Sequence, residues 1–148
     1  MHYPIFSHEY FMQEALKEAR KAMENNEVPV GAIIVAANRI IGRGYNQTES
    51  LNDVTAHAEM IAFTSAANTI NSKYLPECIL YVTLEPCIMC AGAAYWTQVG
   101  QLVYGASDPK RGFSMYSPSP LHPSTILIGG ILEPECSLLV KDFFKKKR

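Results

Sequence analysis

The sequence of 148 residues lacks an apolar run long enough to cross a membrane. Its longest run covers residues 30–37, whereas a membrane-spanning helix needs about 20 apolar residues. The opening stretch, MHYPIFSHEY, also lacks the apolar core of a signal peptide. We therefore expect a cytoplasmic protein that has no membrane partner.

A large excess of either charge is absent as well. The 13 Lys and Arg residues nearly balance the 14 Asp and Glu residues, and the formal net charge is −1. Domains that bind nucleic acid by charge alone are usually strongly basic, so this balance excludes a charge-driven, sequence-indifferent binder. The charge is uneven, however, because residues 141–148 hold five basic residues and one acidic residue. This basic tail is compatible with a small contact to RNA.

Cysteine is scarce, and a cytoplasmic chain of this size neither keeps nor needs disulfides. Cys78 and Cys136 stand alone among apolar residues, so we expect them to pack in the core. Cys87 and Cys90 form a C-x-x-C motif, which is typical of a metal site or a redox dithiol. The thioredoxin-like pattern that accompanies redox motifs is missing, which favours the metal site.

The hydrophobic pattern predicts helices and strands in the order α-β-β-α-β-α-β-β-α. Ser7 and Thr55 are predicted N-caps, and Pro86 is predicted at the first position of a helix. Gly42 and Gly44 indicate a close approach of another segment to their strand. The architecture expected from this order is a three-layer α/β/α sandwich with a mixed five-stranded sheet. The predicted helices cover residues 7–25, 56–68, 86–97 and 134–144; the strands cover 30–37, 40–45, 79–84, 102–106 and 125–131; a proline-rich loop covers 107–124.

Residues capable of metal chemistry lie at two of the predicted helix N-termini. Cys87 and Cys90 are three residues apart, so they share a helix face and can bind one ion. The positive end of the helix dipole favours their thiolate forms. His57 supplies a third ligand, and a Cys₂His set with an open fourth position is typical of catalytic zinc. We expect one Zn²⁺ per chain, with water or hydroxide as the fourth ligand.

Glu59 follows His57 by two residues, which is about 200° around a regular helix. It is therefore not expected to bind the same ion, but it can reach the space in front of the first turn. A carboxylate beside a zinc-bound water is typical of a proton shuttle. The alternative is a structural zinc site in a non-catalytic binding module, for which His122 or Cys136 would have to supply a fourth ligand.

The pattern H-x-E followed by P-C-x-x-C is the signature of zinc nucleobase deaminases. It occurs here as His57-Ala58-Glu59 and Pro86-Cys87-Ile88-Met89-Cys90. Together with Glu27-Val28-Pro29-Val30-Gly31-Ala32 and Gly44-Tyr45-Asn46, it resembles the bacterial tRNA-specific adenosine deaminases. Those enzymes convert the wobble adenosine of an anticodon to inosine. The resemblance covers about residues 7–110 and 131–148.

The resemblance implies one zinc-dependent deaminase domain over residues 1–148 with a cytidine-deaminase-like fold. It implies hydrolytic release of ammonia, a homodimer, and the tRNA anticodon loop as partner. Glu59 is then catalytic, and Asn46 and Ala58 bind the substrate. The residues implied to lie near the tRNA are Lys110, Phe143, Phe144 and Lys145.

Two departures from that family keep a second function open. Residues 113–120 replace the usual small-residue stretch, and Tyr95-Trp96 is closer to small guanine deaminases. The alternative is a deaminase of a free purine base or nucleoside, similar to guanine deaminase. If the substrate is instead a base in an RNA loop, aromatic residues should line the approach. Candidates by position are Tyr45, Phe113, Tyr116 and Phe144.

Overall fold

The elements follow the predicted order in the computed structural model, which describes residues 2–147. A short 3-10 helix, Phe113–Met115, lies inside the predicted proline-rich loop. None of the helices in this described part of the chain is long and apolar enough to cross a membrane. The helices are α1 (His8–Glu24), α2 (Ala58–Ile70), α3 (Ile88–Thr97) and α4 (Glu133–Lys146), and the strands are β1 (Gly31–Ala36), β2 (Arg39–Tyr45), β3 (Cys78–Leu84), β4 (Gln101–Ala106) and β5 (Ile126–Ile128).

The five strands form one mixed sheet in the order β2-β1-β3-β4-β5. The strand β1 is antiparallel to both of its neighbours, with Ala32 opposite Gly44 on one side and Val82 on the other. The strands β3, β4 and β5 run parallel to one another. The mixed five-stranded sheet predicted from the sequence is therefore confirmed.

Helices cover both faces of the sheet, because successive strand side chains point to opposite sides. Ile33 and Tyr81 belong to the core beneath α1 and α4, whereas Ile34 and Leu80 belong to the core beneath α2 and α3. These are the three predicted layers. Cys78 and Cys136 are buried in opposite cores, as expected of packing residues.

Two glycines in β2 allow α2 to lie directly on the sheet. A Cβ atom at Gly44 would overlap the carbonyl oxygen of Ala58, and one at Gly42 would overlap that of Ala62. This is the close approach that the sequence predicts. It places the first turn of α2 at the end of β2, where the functional residues gather.

Local hydrogen bonds decide where the helices begin. Ser7 caps α1 as predicted, since its Oγ accepts a hydrogen bond of 3.1 Å from the Tyr10 amide. The prediction that Thr55 caps α2 is wrong, because both its amide and its hydroxyl donate to Asp53 and His57 is the N-cap. Pro86 lies just before α3 rather than inside it, because Cys87 is the N-cap of that helix.

The strand β5 is shorter than predicted and covers only three residues. Gly130 follows it with a φ of +86°, a conformation that strands do not contain and that glycine adopts readily. The chain then turns into α4 within a few residues.

Candidate metal centre and active site

Three potential metal ligands meet where α2 and α3 begin. His57 and Cys87 are the N-caps of the two helices, and Cys90 lies in the first turn of α3. The His57 Nδ1 atom lies 3.6 Å from the Cys87 Sγ atom and 3.5 Å from the Cys90 Sγ atom. A tetrahedral zinc ion with ordinary bond lengths holds nitrogen and sulfur ligands about 3.6 Å apart. The three side chains therefore fit a zinc ion.

The environment of the two thiols favours a metal ligand over inert packing. A hydrogen bond from the Cys90 thiol, aided by His57, lowers the pKa of Cys87 to about 3. The same hydrogen bond and burial raise the pKa of Cys90. Cys87 is therefore a thiolate at neutral pH, whereas Cys90 keeps its proton until a metal ion binds and displaces it.

Glu59 lies beside this cluster without belonging to it. It is in the first turn of α2, is 4% exposed and lines the same cavity as His57 and Cys87. Burial raises the pKa of Glu59 to about 7, so the carboxyl can both accept and donate a proton near neutral pH. Because His57 has the extended backbone of an N-cap, both side chains face one space, as the sequence predicts for a proton shuttle.

A cavity of about 240 Å³ opens in front of these residues. Asn46 forms part of its wall, and Ala58 lines it from the first position of α2. The Asn46 side chain is 8% exposed, and its Oδ1 atom is buried without a hydrogen-bond partner among the described residues. Its Nδ2 atom makes only a long 3.4 Å contact with the Val28 carbonyl. An unpartnered amide in a cavity wall is suited to recognising a polar ligand.

Two buried glutamates that sequence reasoning did not single out hold the loops around the cavity. The Glu27 carboxylate accepts hydrogen bonds from the amides of Glu49 and Ser50, at 3.1 and 2.7 Å. These hydrogen bonds outweigh the opposing effect of desolvation and lower the pKa of Glu27. The Glu85 carboxylate accepts hydrogen bonds from two amides of the loop after β4, those of Asp108 and Ser114. The only local signal for Glu85 is its charge within a mostly apolar stretch, and Glu27, which follows Asn25 and Asn26, lacks even that signal.

A basic groove of about 960 Å³ adjoins the cavity, between residues 106–111 and α4. The two spaces share four lining residues, which are Val28, Leu84, Asp108 and Arg111. Its other lining residues include Lys110, Phe144 and Lys145, three of the four residues that the sequence predicts near tRNA, together with Lys141 and Lys147.

Phe143, the fourth residue predicted near tRNA, is not among the residues that line the groove. Its ring is 8% exposed and packs edge-on against Phe144, with the ring centres 5.3 Å apart. Phe143 therefore supports the exposed Phe144 rather than offering a surface of its own. Arg148, the last residue of the basic tail, lies outside the described residues.

Several other sequence candidates lie away from the metal centre. His122 contacts Ser124 and the Tyr95 ring, and Cys136 is buried in the opposite core. Within residues 2–147, the cluster around His57 contains three ligands, and neither of these two is among them. Phe113, one of the candidate aromatic residues, is buried in the core, where its ring packs edge-on against the Tyr104 ring.

The chain matches a known family model and several characterised proteins. Residues 6–106 match the cytidine and deoxycytidylate deaminase zinc-binding region. The chain is 45% identical to a tRNA-specific adenosine deaminase of Aquifex aeolicus, over 95% of each chain. It is 42% identical to a structure solved in a study of A-to-I editing by tRNA:A34 deaminases, with a TM-score of 0.82 and coverage of 88% of this chain and 98% of that one.

A guanine deaminase of Bacillus subtilis is also similar, at 38% identity and a TM-score of 0.66. That match covers 69% of this chain and 66% of the other.

Proposed function

The chain belongs to the cytidine and deoxycytidylate deaminase zinc-binding family, and we propose that it hydrolyses adenosine to inosine at the wobble position of tRNA, releasing ammonia. The observation that carries the proposal is the basic groove continuous with the small cavity at the metal centre. A free base needs only the cavity. An anticodon loop needs the groove as well, for the nucleotides next to the reacting base.

The proposed binding mode places one base in the cavity and the RNA backbone in the groove. The volume of about 240 Å³ is small compared with ligand pockets of about 300–1,000 Å³ and suits a single base extruded from a loop. Asn46 then hydrogen-bonds the purine, and Ala58 packs against it. The groove supplies cations from Lys110 and Lys145 and an exposed ring from Phe144.

Glu59 moves the protons in the proposed reaction. It accepts a proton from the attacking water and donates it to the ring nitrogen beside C6. Once the water oxygen has bonded to C6, Glu59 takes the proton of the new C6 hydroxyl group and gives it to the amino group. The C6–N bond then breaks, and the amino group leaves as ammonia. Its pKa of about 7 supports both transfers. The proposal includes one zinc ion per chain, held by His57, Cys87 and Cys90 with water as the fourth ligand, because zinc makes water nucleophilic near neutral pH.

The proposal also includes a homodimer and a cytoplasmic location. Ile88, Tyr95 and Trp96 lie on one side of α3, and the Trp96 side chain is 75% exposed. A second copy that covers this apolar face would remove it from water. Sedimentation velocity would then report twice the monomer mass, and a monomer would overturn this part of the proposal. A tRNA substrate supports the cytoplasmic location.

The deciding experiment offers the zinc-loaded protein two kinds of substrate. One is tRNA with adenosine at the wobble position, and the other is a set of free guanine, adenine and nucleosides. Inosine at the wobble position supports the proposal. Ammonia from guanine alone supports the guanine deaminase alternative. If zinc is present and neither substrate reacts, the chain is a zinc-stabilised binding module.

A further inference from the structure

The carboxylate of Glu85 ties the loop after β4 to the segment that carries a zinc ligand. Glu85 is 3% exposed and lies two residues before Cys87. A buried carboxylate is costly unless hydrogen bonds compensate for its lost hydration. Here one oxygen accepts the amide of Asp108 at 3.0 Å and the other accepts the amide of Ser114 at 2.9 Å. One side chain therefore holds both ends of residues 108–114, the first part of this loop.

Backbone contacts reinforce this attachment. The Glu85 amide donates to the Ala106 carbonyl at 2.8 Å, and the Phe113 amide donates to the Pro86 carbonyl at 2.9 Å. Gly112 lies so close to the Glu85 carboxylate that a Cβ atom there would overlap it. The loop is packed against the carboxylate as well as hydrogen-bonded to it.

The loop is also closed upon itself. The Asp108 carboxylate accepts the amides of Lys110 and Arg111, at 3.2 and 3.1 Å. The Asp108 carbonyl accepts the amide of Gly112 at 2.7 Å. Residues 108–114 thus form a compact unit, and its position relative to the rest of the molecule depends on the anchors at its two ends.

This unit forms part of the wall shared by the cavity and the basic groove, through Asp108 and Arg111, beside Val28 and Leu84. We propose that Glu85 is a positioning residue that sets the distance between this wall and the metal centre, and so controls how substrate is held. The proposal rests on the proposed deaminase function. In it Glu85 acts through residues 108–114 and takes no part in proton transfer.

The main test is Glu85→Gln, which keeps the size of the side chain. The amide of Gln has one acceptor oxygen, so one of the two loop amides loses its partner. We expect hydrogen exchange at Asp108 and Ser114 to become about tenfold faster, because local opening governs that exchange. We expect zinc content to stay the same. KM for the tRNA should rise about tenfold, which corresponds to about 1.4 kcal/mol, with a smaller change in kcat.

Gly112→Ala tests the same attachment from the loop side. Gly112 has a φ of −68°, which alanine adopts freely, so the substitution acts through contact with the Glu85 carboxylate and with the Asp108 carbonyl oxygen. This variant should reproduce the faster exchange and the higher KM, and it keeps the proposal testable if Glu85→Gln does not fold. The matched control is Glu18→Gln, which alters another buried carboxylate, one that pairs with Lys21 and Arg43. It should leave both readouts unchanged.

A double-mutant cycle separates positioning from a general loss of stability. If Glu85 acts through the loop, Glu85→Gln and Arg111→Ala together should raise KM by less than the product of their separate effects. Independent effects in this cycle would overturn the proposal, as would unchanged exchange at Asp108 and Ser114. The exchange measurement needs no substrate. A wild-type protein that leaves tRNA unmodified would therefore refute the proposed function, while the exchange rates of Glu85→Gln would still show whether Glu85 holds residues 108–114 in place.

Discussion

The Nδ1 atom of His57 lies 3.5 Å from the Sγ atom of Cys90, although 33 residues separate the two along the chain. The contact exists because α2 and α3 pack on the same face of the sheet and begin at the same end of it. The metal centre therefore depends on how the helices are seated as well as on the two motifs. Substitutions at the candidate ligands, the proposed proton shuttle, the proposed purine contact, the packing of α2 on the sheet and the basic tail should each have a distinct effect.

Replacement of His57 by alanine should abolish stoichiometric zinc binding and deamination together. Two thiolates alone leave the tetrahedral site incomplete. Metal analysis of the purified variant measures the first effect, and inosine formation measures the second. Cys136→Ala is the matched control, because its thiol is buried in the opposite core, and it should keep zinc. A His57→Ala variant with full zinc content would contradict the ligand assignment.

Glu59→Gln should keep its zinc and its affinity for tRNA but lose activity. The amide cannot accept the proton from water, and general acid–base catalysis contributes about 10²–10⁴-fold to rate. Single-turnover kinetics with saturating enzyme isolates the chemical step. Deamination at the wild-type rate by a zinc-loaded variant would rule out the proposed proton shuttle.

Asn46→Ala should weaken substrate recognition without disturbing the metal. The unpartnered Oδ1 atom would be removed, and a buried hydrogen bond to substrate contributes about 1–3 kcal/mol, or about 5- to 150-fold in kcat/KM. Zinc content, measured on the same sample, should equal that of the wild type. An unchanged kcat/KM would remove Asn46 from the substrate site.

Gly44→Ala should lower both stability and zinc affinity, although Gly44 is not a candidate ligand. The new methyl group would overlap the Ala58 carbonyl and displace the turn that carries His57 and Glu59. Overpacking of this kind costs about 1–3 kcal/mol in unfolding free energy, measurable by urea denaturation. Zinc affinity should fall as well.

Gly42→Ala is the control for that prediction. It meets the Ala62 carbonyl, one helical turn further from the ligands. It should destabilise the fold to a similar extent with a smaller loss of zinc affinity. Equal zinc loss in the two variants would show that α2 moves as a whole.

Deletion of residues 145–148 should weaken tRNA binding and reduce its salt dependence. The segment carries four positive charges, and Lys145 and Lys147 line the groove. For every phosphate that the tail no longer neutralises, the slope of log K against log salt should fall by about 0.7 for single-stranded RNA. Titrations of tRNA at several salt concentrations measure this slope. If neither affinity nor slope changes, the tail has no part in binding.

Sequence patterns predicted the elements wherever a local signal was strong. The apolar stripe of α1 and the cap at Ser7 depend on residues a few positions apart, so both could be read directly from the chain. The prediction at Thr55 was wrong because the Asp53 carboxylate accepts hydrogen bonds from both the amide and the hydroxyl of Thr55. These bonds hold Thr55 in a turn before the helix begins. The short β5 was overestimated because apolar residues continue past the point where Gly130 turns the backbone.

Residue type and spacing alone predicted the chemistry that we propose for this protein. His57, Glu59, Cys87 and Cys90 are candidates that the sequence offers by itself, since metal binding and proton transfer demand particular atoms at helix starts. The shape of the substrate site, in contrast, was decided by the tertiary structure. Glu85 and Glu27 hold loops through backbone amides more than 20 residues away, and any residue type except proline offers such an amide. Contacts of that kind leave no pattern in the sequence, and they exist only once the sheet has brought the loops together.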